Sequence, residues 1–289
     1  MKFKVLWIAG FILAATAGQA QAGPILANYP TLFATLNGNS GTYLFPGFGI
    51  VEHDGAVIET SRMTMPEAQN SFSAFGITRN SLGEYWTSTG NALIQFDPVS
   101  GNVLRSLSKP SVFTEPFLNL VFDLSDRLIG WSNSNGFLYE ISLDVNSYTE
   151  TQLAFVGLHA GGLTEMAFAP DGTLYGIDNR FKRLITIDVT TGARTTVAQF
   201  GFGDYLGLAL APDGTLFTSN SLTREIIQLD LQGSELSSVA YLAETPIMGL
   251  DFGSDPAPVP EPSSIAMFGI GALGLIFARR KRQQTKLAA

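Results

Sequence analysis

Few side chains in this 289-residue sequence are of the types that carry catalytic or metal chemistry. There are two histidines and no cysteine, so disulfides, thiolate catalysis and cysteine-based zinc sites are excluded. His53 lies in the segment Val51–Gly55, which predicts a hairpin turn, and His159 lies in a glycine-containing loop segment. Ligands and catalytic groups are often carried at the ends of elements, but nothing in the spacing predicts that the two histidines meet.

Sequence motifs for the common kinds of active site are also missing. The chain has no Gly-x-Ser-x-Gly segment, no phosphate-cradling glycine loop, no zinc-protease helix motif and no EF-hand loop. The glycine-rich segment Gly201–Tyr205 is not followed by a helical pattern, so it predicts a turn between repeats. The sequence therefore assigns no catalytic residue, no metal ligand and no cofactor.

The distribution of charge limits the kinds of partner that the protein can bind. The formal net charge is −8, from 17 basic and 25 acidic residues. Seven basic residues and one acidic residue lie in two terminal segments, which leaves ten basic and 24 acidic residues and a charge of about −14 elsewhere. Such a surface repels nucleic acid and would attract cations, including Ca²⁺. The simpler interpretation is that the carboxylates keep an exported protein soluble.

A repeat of 42 to 46 residues organises the middle of the chain. The segment Ala-Pro-Asp-Gly-Thr-Leu occurs at Ala169–Leu174 and again, 42 residues later, at Ala211–Leu216. Weaker copies place Gly41, Gly83 and Asp126 at equivalent positions. Period-2 alternation, β-branched residues and Asp-Gly turns in each unit predict four strands joined by hairpins.

Four short strands at this period are typical of propeller blades. The region resembles the broad superfamily of NHL- and YncE-like β-propellers, and this resemblance implies an all-β propeller of five or six four-stranded blades. Five units extend from about Leu32 to Leu242, and Ile247–Phe252 resembles the first strand of another. We expect this last strand to complete or pair beside the first blade, because closure leaves no open edge.

The resemblance to propellers also suggests where a metal or a ligand would bind. Propeller lactonases and related hydrolases hold a divalent ion in the central channel, and Glu165, Asp204 and Asp251 are the candidates here, each near an innermost strand. Solvated loop carboxylates are the alternative interpretation. Trp86 and Trp131 fall in second strands of adjacent units, where packing between blades competes with a sugar-stacking role.

The N-terminal segment predicts export. Residues 1–22 contain two lysines, an apolar stretch, and a small-x-small end in which Ala20 and Ala22 flank Gln21. This pattern is typical of a cleaved secretory signal peptide with a helical apolar region.

The C-terminal segment has three parts. Pro260, Glu261 and Pro262 lie in a proline-rich linker that spans residues 254–264, and an uncharged apolar run follows from Ile265 to Ala278. Four cations close the run: Arg279, Arg280, Lys281 and Arg282. Cations beside an apolar segment tend to stay on the cytoplasmic side. From Pro262 to Ala278 the run is at the short limit for a membrane-spanning helix.

This tail resembles the PEP-CTERM sorting signal of Gram-negative bacteria. The resemblance implies export, transient membrane retention through residues 265–289, and processing by an exosortase-type membrane protease. It makes Pro260–Pro262 the recognition element and the four cations the cytoplasmic stop.

Together these features predict an exported β-propeller over residues 23–253. We expect a non-enzymatic binding or scaffold protein at the cell surface or in an exopolysaccharide (biofilm) matrix. The alternative is a secreted hydrolase or lactonase that uses a metal in the channel.

Overall fold

A computed structural model describes residues 29–36, 47–51, 57–62, 75–88, 92–108, 117–157, 162–241 and 246–252. The described residues form twenty β-strands in five antiparallel sheets of four strands each. The first sheet contains β1 (Leu32–Leu36), β2 (Gly47–Val51), β3 (Val57–Arg62) and β20 (Ile247–Phe252). The second contains β4 (Phe75–Arg79), β5 (Tyr85–Ser88), β6 (Ala92–Phe96) and β7 (Val103–Ser108).

The remaining sheets follow the same order along the chain. The third contains β8 (Phe117–Phe122), β9 (Leu128–Ser132), β10 (Phe137–Leu143) and β11 (Tyr148–Phe155). The fourth contains β12 (Leu163–Phe168), β13 (Leu174–Asp178), β14 (Arg183–Ile187) and β15 (Arg194–Gln199). The fifth contains β16 (Tyr205–Leu210), β17 (Leu216–Asn220), β18 (Glu225–Leu229) and β19 (Glu235–Ala240). This all-β arrangement of four-stranded blades confirms the propeller prediction.

The repeated Ala-Pro-Asp-Gly-Thr-Leu segment forms the tight turn between the first two strands of a blade. In the fourth sheet, Asp171 Oδ1 accepts a hydrogen bond from the backbone N–H of Thr173 at 2.9 Å. Asp213 and Thr215 make the same 2.9 Å bond in the fifth sheet. The glycine between them has a φ of +86° or +87°, a conformation that favours glycine, so the motif is conserved between these two repeats for its turn geometry.

The innermost strands bring the sheets together. β4, β8, β12, β16 and β20 contact one another in that order, and β20 also contacts β4. The last strand, β20, pairs with β1, so that Phe252 lies opposite Leu32. This pairing confirms the prediction that Ile247–Phe252 completes the first blade. It joins the two ends of the described chain through backbone hydrogen bonds.

Apolar side chains fill the spaces between the sheets. Trp86 is completely buried against Phe117 and Leu120 of the next sheet. Trp131 is completely buried against Leu163 and Met166 of the sheet that follows. The expectation that both tryptophans pack between blades is therefore confirmed, and neither ring is available for stacking on a sugar.

Several predicted segments lie outside the described residues. They include the signal peptide with Ala20 and Ala22, both histidines, the sorting motif and the apolar tail. Within the described ranges, no helix has the length and hydropathy needed to cross a membrane.

Candidate functional site

The innermost strands share a common register, which identifies the residues at each level of the channel. In every sheet the last residue of the innermost strand lies opposite the first residue of the second strand, as in Phe168 opposite Leu174. Three positions before that last residue, the five strands carry Gly76, Asn119, Glu165, Gly207 and Gly249. Three glycines at one level leave room near the axis, and Glu165 is the only carboxylate among these five residues.

The Glu165 side chain crosses this glycine-lined space. A Cβ atom added to Gly76 would lie 3.0 Å from Glu165 Oε1 and 3.2 Å from Oε2. Because β12 and β4 are not neighbours in the ring, the carboxyl group reaches the far wall of the channel. Glu165 is fully buried, so its side chain fills the middle of the propeller.

The surroundings of Glu165 favour the neutral acid. Its Oε1 accepts one long hydrogen bond, 3.3 Å from the Met166 backbone N–H. Its Oε2 is buried and has no hydrogen-bond partner among the described residues. Burial raises the pKa of Glu165 well above its usual value, and the negative charge of Asp251 raises it further. A neutral Glu165 would be a hydrogen-bond donor facing the channel.

Asp251 is the second acid of the channel. It lies one residue before the end of β20, next to β4 in the ring. Its Oδ2 is buried and unpaired within the described part of the chain. Burial raises the pKa of Asp251 to about 7, although the nearby Arg79 cation lowers it. Burial and the Asp251 charge also raise the pKa of the Tyr85 hydroxyl, so Tyr85 stays protonated.

Asp204 does not join these two acids. Its Oδ1 accepts a hydrogen bond from Asn179 Nδ2 at 2.5 Å and lies 3.6 Å from Lys182 Nζ. Its Oδ2 accepts a hydrogen bond from Ser221 Oγ at 3.0 Å. Asp204 precedes β16, and the turn amide, ammonium and hydroxyl groups hold its carboxylate at the end of the blade.

The structure therefore does not bring the three candidate ligands Glu165, Asp204 and Asp251 into one site, although Glu165 and Asp251 lie on innermost strands. Among the described residues, no group of three or more His, Asp or Glu side chains is arranged to hold a metal ion. Glu165 and Asp251, both on innermost strands, instead have raised pKa values, and the charge of Asp251 contributes to the shift of Glu165.

A groove lies beside the Asp251 end of the channel. Its volume is about 470 Å³. Phe33, Tyr85 and Phe96 provide its aromatic wall, and polar groups include Glu84 and Gln95. Phe33 on β1 lies opposite Asp251 on the paired strand β20. Phe33 therefore both lines the groove and neighbours Asp251.

Sequence reasoning did not identify this groove or the role of Arg79. A signal was present, since Arg79 and Asp251 are charged residues within otherwise apolar strands. The arrangement supplies a neutral carboxyl group, an acid that titrates near pH 7, a guanidinium group and a mixed aromatic and polar groove. Such a set can bind a polar ligand or exchange a proton with it.

The fold and the candidate site together define a β-propeller whose innermost strands form a closed ring around a channel with ionisable side chains. Residues 258–282, outside the described structure, match the PEP-CTERM protein-sorting motif, which confirms the resemblance of the tail. A search of curated proteins found no match.

Comparison with solved structures shows the fold alone. A chain of a nidogen/laminin complex superposes with a TM-score of 0.51 at 12% identity, covering 78% of this chain and 98% of that one. A symmetrical protein of de novo evolutionary emergence gives a TM-score of 0.51 at 13% identity, with 78% and 100% coverage. Virginiamycin B lyase from Staphylococcus aureus gives 0.42 at 15% identity, with 68% and 64% coverage. Neighbours of this chain are β-propeller proteins.

Proposed function

We propose that this protein is an exported, PEP-CTERM-sorted β-propeller that serves as a binding or scaffold module at the surface or in the exopolysaccharide matrix of a Gram-negative bacterium. The observation that carries the proposal is the match of residues 258–282 to the sorting motif. The motif is a substrate signal for an exosortase-type membrane protease, so this protease is the proposed processing partner.

The strand directions support this route. β1 begins and β20 ends at the same end of the first blade, where Leu32 pairs with Phe252. Both export segments would therefore leave the propeller from one side. We count the five sheets as five blades of a closed propeller, because a four-stranded blade completed by both ends of the chain protects its edges.

In this proposal each terminal segment has one task. Signal peptidase would cleave after Ala22, with Ala20 as the second small residue of its site. The segment Pro260–Pro262 would be recognised by the sorting protease, and the cations at 279–282 would hold the end of the apolar run in the cytoplasm. The mature propeller would then be released from the inner membrane.

Measuring the mass and location of the mature protein tests this route. We expect the wild-type chain, in a host with the sorting protease, to lose the apolar tail and leave the inner membrane. Combined substitution of Pro260, Glu261 and Pro262 by alanine should leave the tail attached. Pro256→Ala, in the same linker but before the matched residues, is the control and should be processed normally. Tail retention in the wild type would refute the proposal and indicate a permanent anchor.

A secreted hydrolase is the second candidate, and the channel acids favour it. A metal in the channel would be held by Glu165 and Asp251 with neutral oxygens, because Asp204 is committed to the neighbouring turns. Buried oxygens of Thr35, Glu165 and Asp251 have no hydrogen-bond partner within the described ranges, and such oxygens fit the oxygen-rich coordination that Ca²⁺ prefers. If this candidate is correct, Ca²⁺ should raise the melting temperature of the wild type and not of Asp251→Asn, and lactone hydrolysis should be lost in that variant. Equal responses to Ca²⁺ would contradict it.

A further inference from the structure

One end of the fourth and fifth blades has an unusual surface composition. Three segments meet there: the β13–β14 turn (residues 179–182) with Arg183 at the start of β14, the β15–β16 connection (201–204) and the β17–β18 turn (221–224). We call these residues the turn surface. None of them takes part in the channel site described above.

Cations are concentrated on this surface. Only ten lysines and arginines occur between positions 23 and 253, and Arg180, Lys182 and Arg183 are three of them. Arg224, a fourth, lies in the adjacent turn. Arg180 is exposed, and no carboxylate of the described residues is within ion-pair distance of it. Lys182 and Arg183 are ion-paired with Asp204 and Asp178, so Arg180 supplies the uncompensated positive charge on this surface.

Exposed apolar side chains accompany these cations. Phe202 is 87% exposed, Leu222 is 53% exposed and Phe181 is 52% exposed. The guanidinium of Arg183 lies 4.7 Å from the centre of the Phe181 ring, and that of Arg180 lies 5.6 Å from it. Two guanidinium groups therefore lie close to the Phe181 ring.

Hydrogen bonds fix the three segments relative to one another. The backbone N–H of Phe200 donates to the Lys182 carbonyl at 2.7 Å. The backbone N–H of Ser221 donates to the Asp204 carbonyl at 2.8 Å. Lys182 is bonded to Asn179 Oδ1 at 2.7 Å and is paired with Asp204, so the carboxylate of this surface is already compensated. The surface is preorganised, which lowers the entropic cost of binding.

The turn surface and the end of β20 lie on opposite sides of the propeller. Residues 179–182 follow the end of β13, the end at which β12 begins, because Leu163 pairs with Asp178. β20 runs in the same sense as β12, and it ends at the opposite side of the propeller, where the sorting tail starts. The turn surface therefore lies on the side of the propeller opposite to the one from which the chain continues toward the sorting motif.

We propose that the turn surface binds an acidic polysaccharide, a polymer that carries uronate carboxylates. This inference deepens the proposed function and depends on it for the location of the protein. The exposed guanidinium of Arg180 matches a carboxylate in charge and in hydrogen-bonding geometry. The exposed rings of Phe181 and Phe202 supply flat apolar area against which the C–H faces of sugar rings pack.

Affinity electrophoresis of the full-length chain in a neutral detergent tests the inference. Gels would contain polygalacturonate, a uronate polymer, or dextran, a neutral glucan. We expect retardation by polygalacturonate alone, weaker at higher salt because exposed charges are screened. The double variant Arg180→Glu, Phe202→Ser should bind about tenfold more weakly, since it reverses one charge and removes one ring.

Matched controls separate the surface from the overall charge. Arg194→Glu makes the same change in charge on exposed β15, and Leu124→Ser removes an exposed apolar side chain from a turn of the third blade. Both should bind as the wild type does. Arg183 is left unchanged because it pairs with the fully buried Asp178.

The outcomes distinguish the two proposals. Equal binding by the double variant and the controls would overturn the assignment of the surface, and equal retardation by dextran would overturn the acidic class of polymer. Binding of the wild type to vesicles of anionic lipid, without binding to polygalacturonate, would replace the polymer by a membrane. Normal tail processing with no polymer binding refutes this inference alone, whereas polymer binding with a retained tail refutes the sorting route alone.

Discussion

The two channel acids make a specific prediction about stability and pH. Asp251 has a pKa of about 7 in the folded protein against a usual value of 3.8, and the pKa of Glu165 is also raised. Between about pH 4 and pH 7 the unfolded chain gives up the Asp251 proton, whereas the folded chain keeps most of it until the pH approaches 7. The free energy of unfolding should therefore fall as the pH rises through this range, and stay low above it.

The size of this change in the free energy of unfolding follows from the shift in the pKa of Asp251. Each unit of pKa corresponds to about 1.4 kcal/mol, so Asp251 alone should reduce the free energy of unfolding by about 4 kcal/mol between pH 4 and pH 8. Glu165 acts in the same direction. This is a large part of the roughly 5 to 15 kcal/mol by which a typical domain is stable.

Urea unfolding followed by tryptophan fluorescence measures this change, because Trp86 and Trp131 are buried in the folded chain. The experiment would be done in EDTA at pH 5, 6, 7 and 8. The wild type should lose stability across the series, and Asp251→Asn should lose much less because the amide does not ionise. At pH 8 the variant should be the more stable protein.

Asp188 provides the control. Hydrogen bonds from the backbone N–H groups of Thr191 and Thr190 lower its pKa, so its contribution is present above its usual pKa and lost only in more acidic solution. Asp188→Asn should keep the wild-type slope between pH 5 and pH 8. The reasoning is refuted if the wild type is equally stable at pH 5 and pH 8, or if Asp251→Asn keeps the full wild-type slope.

Two further predictions concern packing. A Cβ at Gly192 would lie 2.2 Å from the Phe155 carbonyl oxygen, whereas one at Gly172 meets nothing within 4 Å. Both glycines have positive φ, so Gly192→Ala should lower the free energy of unfolding by about 2 kcal/mol more than Gly172→Ala, and equal losses in urea unfolding would contradict the close approach. Leu250→Ala removes a buried side chain from the closing strand and should cost about 2 to 5 kcal/mol. Leu236→Ala, at an exposed position, should cost less than about 0.5 kcal/mol, and similar melting temperatures for the two variants would show that closure through β20 contributes little.

The sequence by itself was enough to predict the strands and the way the chain closes. Alternating apolar residues and the Asp-Gly turns at Gly172 and Gly214 are local signals, and local backbone geometry decides hairpins. Ile247–Phe252 is one strand more than the five repeat units contain. It predicted closure of the ring, because a lone strand needs a pairing partner and β1 lies in the first unit. The sorting tail could also be recognised from the sequence, because its motif is a contiguous segment of the chain.

Only the tertiary structure decided which polar residues meet. Glu165 reaches Gly76 from a strand 89 positions away, and the glycines that make room for it lie on three different blades. Asp204 was a candidate because it lies near an innermost strand, as Glu165 and Asp251 do. In the structure Asn179, Lys182 and Ser221 hold it in a turn. Strand periodicity sets the direction of a side chain within its own blade. The ring of blades sets what that side chain faces, because those contacts join residues that are distant in the chain.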